Sequence, residues 1–170
     1  MATLEYILRD INLFVDATDY AGSVEQIRLP VLKEKSESHQ GGGADFESMM
    51  RYGYDALTAE FQIVDLDPSV IVQAGRRYGN DLPLTAYGYL QGERDTRTNA
   101  VAYLRGRITE LDFATWEPSK KVPLKWTMAI NVYRLTIGQA QMFNIDVRNR
   151  IFEVAGVDQT VDKRRLLGSA

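Results

Sequence analysis

One histidine, no cysteine, and 23 carboxylates against 20 lysines and arginines make up the reactive inventory of this 170-residue chain. The missing thiols exclude disulfides, cysteine nucleophiles and cysteine-based zinc sites. His39 stands beside Gly41-Gly42-Gly43. A Ser-His-Asp site needs an imidazole held rigidly by its neighbours, and a polar glycine-rich stretch does not supply that. The triple glycine runs into Ala44-Asp45-Phe46, without the Lys-Ser/Thr ending of a phosphate-binding loop or the spacing of a dinucleotide fingerprint. It reads as a loop tip. Asp65 and Asp67 are the densest acidic pair, but Asp67 precedes Pro68 as a helix N-cap and no glycine-centred calcium loop follows. Arg76-Arg77 and Arg164-Arg165 are placed either to contact phosphates or to form ordinary surface and inter-subunit ion pairs. A glycosidase carboxylate pair need not be adjacent in sequence. Of the tryptophans that could line a sugar cleft, Trp126 belongs to a buried stripe and Trp116 to a proline-flanked turn. No constellation converges, so neither catalysis nor a cofactor nor a metal is expected.

Charge is segregated along the chain. From Asp45 to Asp67 six acids (Asp45, Glu47, Asp55, Glu60, Asp65, Asp67) face one base, Arg51. From Arg94 to Arg107 four arginines, among them Arg105 and Arg107, face one acid, Asp95. Opposite blocks on one chain suit head-to-tail association of copies, and equally suit pairing within one subunit. The net charge of −3 argues against affinity for a nucleic-acid backbone, which needs clustered cations.

The elements that must carry these residues are mostly strands. Leu57, Ala59, Phe61 and Ile63 alternate with Thr58, Glu60 and Gln62, the period of a strand with one dry and one wet face. Residues 82–91 and 100–108 alternate likewise and flank a polar hairpin connection at 92–99. Residues 125–138 form the longest strand; its apolar parity switches after Val132, the mark of a β-bulge. Ile11, Leu13 and Val15 make a short strand, and residues 24–32 another, with Pro30 at an edge or break. One helix starts at Asp67-Pro68, repeats through Ile71, Ala74, Gly75 and Tyr78, and closes at Gly79. The expected fold is therefore a mainly β antiparallel sandwich or barrel with one flanking helix. All 170 residues form a single domain. Residues 33–54 read as a long loop without a core of its own, and residues 142–170 as a charged, interrupted segment that packs on a neighbour or frays. No run of apolar residues is long enough for a signal peptide or a membrane span, which predicts a chain made in the cytoplasm without membrane insertion.

In order along the chain come Asn12-Leu13-Phe14-Val15-Asp16, Tyr20-Ala21-Gly22 and Leu29-Pro30-Val31-Leu32-Lys33. A glycine-rich loop follows, then Arg105-Gly106-Arg107 with Glu110 and Asp112, and Tyr133-Arg134-Leu135-Thr136. Ile145-Asp146, Gly156-Val157-Asp158, Arg164-Arg165 and Leu167-Gly168 complete the series. This succession resembles the major tail tube proteins of contractile-tailed bacteriophages and of related phage-tail-like bacteriocins, over nearly the whole chain. Two departures are Ala17-Thr18-Asp19 where a tight glycine turn is expected after Asp16, and Ser-Ala after Gly168.

The resemblance implies a structural, non-enzymatic subunit. It would form hexameric rings stacked into a hollow virion tail tube, with strands of each subunit joined into one barrel around the channel. The implied partners are further copies of the chain, the sheath protein, a baseplate or initiator, a tape-measure protein and a tail terminator, with assembly in the host cytoplasm. Double-stranded DNA would pass without specific binding. Thr58, Glu60 and Gln62 are then candidates to face the lumen; Glu37, His39, Gly41, Gly42, Gly43 and Asp45 to contact an adjoining ring; Arg105, Arg107, Arg164 and Arg165 to pair between subunits. Alternatives are the inner tube of a headless bacteriocin or contractile secretion system, and a small-ligand β-barrel, against which the polar second faces of the strands speak.

Overall fold

The computed structural model describes residues 5–43, 45–64, 66–74, 80–93 and 96–168. Its frame is a pair of long antiparallel strands, β8 (Arg97–Asp112) and β9 (Leu124–Ile137), from which a ten-stranded sheet spreads. On one side of β8 the order continues through β7 (Leu82–Gly92) and β1 (Tyr6–Val15) to β2 (Thr18–Asp19). Beyond β9 come β10 (Ala140–Asp146), β11 (Ile151–Val154) and β12 (Val157–Asp158). The first half of β9 pairs instead with β6 (Thr58–Ile63), which pairs with β3 (Val24–Arg28). β9 thus belongs to two strand layers, β3-β6-β9-β8 and β10-β9-β8-β7-β1.

A bulge lets one strand serve both. Arg105 stands opposite Val132 and Gly106 opposite Ile130, leaving Asn131 as the extra residue. Burial switches there from Leu124, Trp126, Met128 and Ile130 to Tyr133, one residue earlier than the predicted switch after Val132. Gly106 is required at the crossing, because a Cβ would lie 2.0 Å from the Ala129 carbonyl oxygen. Asn131 donates to Asp81 at 3.0 Å, and Asp81, nearly buried, pairs with Arg148 at 3.1 Å. The bulge is therefore tied down by a polar triad.

The apolar faces of the two layers enclose one core, including Leu13, Leu84, Leu104, Phe61, Trp126 and Met128. Phe61 and Trp126 are direct cross-strand partners and their rings stack at 5.5 Å. Cross-strand aromatic pairs of this kind stabilise beyond their burial. Helix α1 (Pro68–Ala74) starts as expected: the Asp67 carboxylate accepts from the Ser69 amide and hydroxyl, both at 2.7 Å. Burial alone would raise the Asp67 pKa, but these Ser69 bonds and one from Tyr20 hold it below the usual value. Val70 anchors the helix in the core, whereas Ile71 is only half-buried. The predicted continuation through Gly75, Tyr78 and Gly79, together with Arg76-Arg77, lies outside the described residues, as do Asp65, Arg94 and Asp95. No helix among the described residues is long and apolar enough to cross a membrane.

Two expectations are corrected. Residues 33–54 are not a loop but mainly a hairpin of β4 (Glu34–His39) and β5 (Ser48–Tyr54), forming a separate two-stranded sheet. Every residue of β4 is exposed, so no alternation of burial marks it. Within residues 142–170, the described part up to Gly168 does not fray: it completes β10 and builds β11, β12 and a second short helix, α2 (Val161–Leu166), with Ile145 buried in the core.

The turn after Asp16 explains how the chain manages without glycine. Val15 pairs directly with Thr18, so Asp16-Ala17 is a two-residue hairpin turn, and both residues are left-handed at φ 48° and 69°. That is the backbone of a type I′ turn, in which glycine or asparagine is the less strained choice.

Candidate functional site

Cross-strand register places the predicted polar residues of β6 on a broader surface. Reading across β3, β6, β9 and β8, one row is Gln26, Gln62, Lys125 and Asp112. The next row is Arg28, Glu60, Thr127 and Glu110, and a third contains Thr58, Ala129 and Arg107. Residues directly opposite in an antiparallel pair point to the same side, so Thr58, Glu60 and Gln62 share one face with residues of three other strands. The face is concave, a dish of about 210 Å³ over its first two rows. Glu60 is bonded to Arg28 at 3.3 Å, and Gln62 to Glu25. The exposed Arg28 pair contributes little to stability, but it keeps the face close to neutral. Sequence reasoning found only the β6 members. The β9 and β8 members lie some sixty and fifty residues away, and nothing local signals that pairing.

Neither edge of this layer carries a further strand among the described residues, and in that sense both are open. Among the described residues β3 pairs only with β6, and β7 leaves β8 at Gly106, so residues 107–112 have a strand on the β9 side alone. Unpaired edges expose rows of amide and carbonyl groups that invite another strand. Arg107, predicted to pair between subunits, lies exposed on this open stretch; Arg105 is exposed just before the bulge.

The hairpin is the second distinctive feature. At its base Asp55 lies 3.8 Å from Lys33 and 3.5 Å from Lys35, and Tyr54 meets the Phe152 ring edge-on at 5.2 Å. Beyond the base, Met49, Met50 and Tyr52 are exposed, and Phe46 is 87% exposed. Glu37 stands opposite Met50, and His39 opposite Ser48, whose hydroxyl donates to the His39 carbonyl at 3.2 Å. Gly41, Gly42 and Gly43 occupy the tip region with open space where each Cβ would be; Gly43 is left-handed at φ 84°. Asp45 is exposed at the tip.

Part of the acidic block is thus matched inside the subunit: Asp55 by Lys33 and Lys35, Glu60 by Arg28, with Asp67 used as a cap. Arg164 is likewise engaged within its own chain. It holds Asp158 at 2.5 Å, Thr160 Oγ1 at 2.9 Å and the Arg150 carbonyl at 3.0 Å. The Thr160 amide, and then Arg164, hold the Asp158 carboxyl below its usual pKa. Arg165 is exposed on α2, and Leu166 beside it is 86% exposed. Among the described residues no group of three or more metal-ligating side chains occurs.

The two distinctive surfaces are thus a concave polar sheet face and an exposed apolar hairpin. Comparison with known proteins identifies the family. Residues 5–168 match the family model described as phage tail tube protein FII. The tail tube protein of Escherichia phage P2 is 29% identical over 165 residues, covering 95% of this chain and 96% of that protein. The major tail tube protein of Serratia phage KSP20 is 25% identical over 158 residues, covering 92% and 91%. A chain of the anti-feeding prophage baseplate is more distant, at 14% identity and a TM-score of 0.42 over 80% of this chain and 95% of that one. The chain belongs to the phage tail tube protein FII family and is a structural subunit of the virion tail tube.

Proposed function

We propose that the subunits form hexameric rings that stack into a hollow tube, and that β3-β6-β9-β8 of each subunit is its share of one continuous barrel lining the channel. The observation that carries this reading is the pair of open edges flanking a polar, concave face. Along the layer each strand is antiparallel to the next. With four strands, β3 and β8 run in opposite directions, so β8 of one subunit meets β3 of the next as another antiparallel pair. Closure removes both edges at once, and a barrel of so many strands leaves an aqueous channel.

Thr58, Glu60 and Gln62 then face the lumen together with Gln26, Arg28, Thr127 and Glu110. Glu25, Glu60, Glu110 and Asp112 slightly outnumber Arg28, Arg107 and Lys125 on this face. Such a wall offers phosphates no cationic track, which favours passage of double-stranded DNA over retention. The hairpin, with Glu37, His39, Gly41, Gly42, Gly43 and Asp45 toward its end, reaches an adjoining ring, while Arg105 and Arg165 remain exposed for neighbouring subunits. Sheath, baseplate or initiator, tape-measure protein and terminator meet the assembled tube.

Negative-stain electron microscopy of the purified chain across a concentration series tests the reading. Rings or hollow tubes are expected, and reversal of the open edge by Glu110→Lys with Asp112→Lys should prevent them without unfolding the subunit. A strictly monomeric wild-type chain at every concentration contradicts it.

A further inference from the structure

The base of the hairpin holds a cavity of about 580 Å³, lined by Leu32, Leu57, Ile130, Ile145, Val147 and Phe152. That is within the range, about 300–1,000 Å³, of sites that bury a ring or a small ligand. Cations predominate at its margin, where Arg51, Arg150, Lys163 and Arg164 stand against Asp55 and Asp146; Asp55 is engaged by Lys33 and Lys35, and Asp146 accepts from Asn149. Arg51 and Arg164 are matched by Glu34 and Asp158, but Arg150 and Lys163, which also line it, have no ion pair among the described residues. An occupant should therefore be apolar at its centre and acidic at its flanks.

The far end of the same hairpin has that composition. Phe46 is 87% exposed and sits between Asp45 and Glu47, neither of which has an ion pair among the described residues. The other large apolar residues that are more than two-thirds exposed outside the hairpin fit less well. Leu166 adjoins Arg165 and would be repelled by the basic margin, Val72 has uncharged neighbours, and Trp116 adjoins Glu117, which is already paired with Lys120. The tip cannot fold back into its own cavity, since six strand residues at about 3.3 Å each hold it about 20 Å from the base.

Resting on the tube reading above, we infer that Asp45-Phe46-Glu47 of one copy seats in the hairpin-base cavity of another, with Phe46 in the apolar interior and the two carboxylates against Arg150 and Lys163. Tip and cavity are different surfaces of one chain, so the contact is head-to-tail and repeats from copy to copy. Its charge pairing also selects against inverted docking, which would bring tip against tip.

The natural absence of cysteine permits a direct test. Full-length Phe46→Cys and Lys163→Cys variants are mixed and mildly oxidised, with Phe46→Cys plus Val72→Cys as the control pair. The expected result is a mixed disulfide dimer at least tenfold in excess of the control. Adding Asp45→Lys and Glu47→Lys to the tip partner should lower it about tenfold, and adding Arg150→Glu to the cavity partner should restore it. Since all these side chains are exposed, melting temperatures should match the wild type. A yield no better than the control, or one indifferent to charge reversal, overturns the inference. If wild-type tubes form while the cross-link fails, only this contact is wrong; if neither appears, the tube reading falls with it.

Discussion

Strands β8 and β9 and strands β4 and β5 are both antiparallel pairs, but they are made from different material. The first pair alternates apolar and polar residues, buries Leu104, Trp126, Met128 and Tyr133, and is flanked by other strands over most of its length. The second has a wholly exposed strand, pairs with no other strand among the described residues, and with its connecting turn displays Phe46, Met49, Met50 and Tyr52 to solvent. A two-stranded hairpin has little independent stability, so beyond Tyr54, which meets Phe152, the hairpin adds little to the fold and its exposed apolar residues are left facing solvent. Stability resides in the β8–β9 frame, and the tube proposed above assigns assembly to the hairpin and the edges of the β3-β6-β9-β8 layer.

The sharpest way to break the frame is Gly106→Val. A side chain there collides with the backbone of Ala129 and Ile130, which cannot move without losing the bulge. A loss of about 4 kcal/mol or more is expected in urea unfolding. Asn131→Ala should cost less, about 1–3 kcal/mol, because it removes one donor from the nearly buried Asp81 and leaves Arg148 in place. Ala17→Gly should act in the opposite direction, raising stability by about 1 kcal/mol through relief of a left-handed alanine. A smaller, local effect is expected on acidification. The Asp158 carboxyl is depressed in the folded chain, so its contribution is present above the unfolded carboxylate value of about 3.9 and is lost as pH falls through the lower folded value. Hydrogen exchange should show α2 amides losing protection in that window before the β8–β9 amides do; simultaneous loss would contradict the assignment.

The frame was largely legible in the amino-acid sequence and the hairpin was not, for a physical reason. Alternation of Leu57, Ala59, Phe61 and Ile63 against Thr58, Glu60 and Gln62 records a choice between core and water. The parity switch near Val132 records the bulge at Asn131 to within two residues. β4 faces water on both sides, so Glu34 to His39 carry no period to read. β11 and β12 are too short for a pattern, and their residues are partly buried or exposed. The lumen candidates show the same limit. Their parity was visible in β6, but their neighbours Lys125, Thr127, Glu110 and Asp112 are brought beside them only by long-range pairing. The positions of Arg105 and Arg164 were equally opaque, since the two side chains look alike in sequence, yet one is exposed and the other is locked to Asp158.

Removing residues 36–48 while closing the hairpin with a short turn tests the division between frame and hairpin most directly. The account predicts a subunit whose melting temperature is unchanged within a few degrees, and which forms no stacked tubes under conditions where the wild type does. Tubes of normal length from the shortened chain, or collapse of its melting transition, would contradict it.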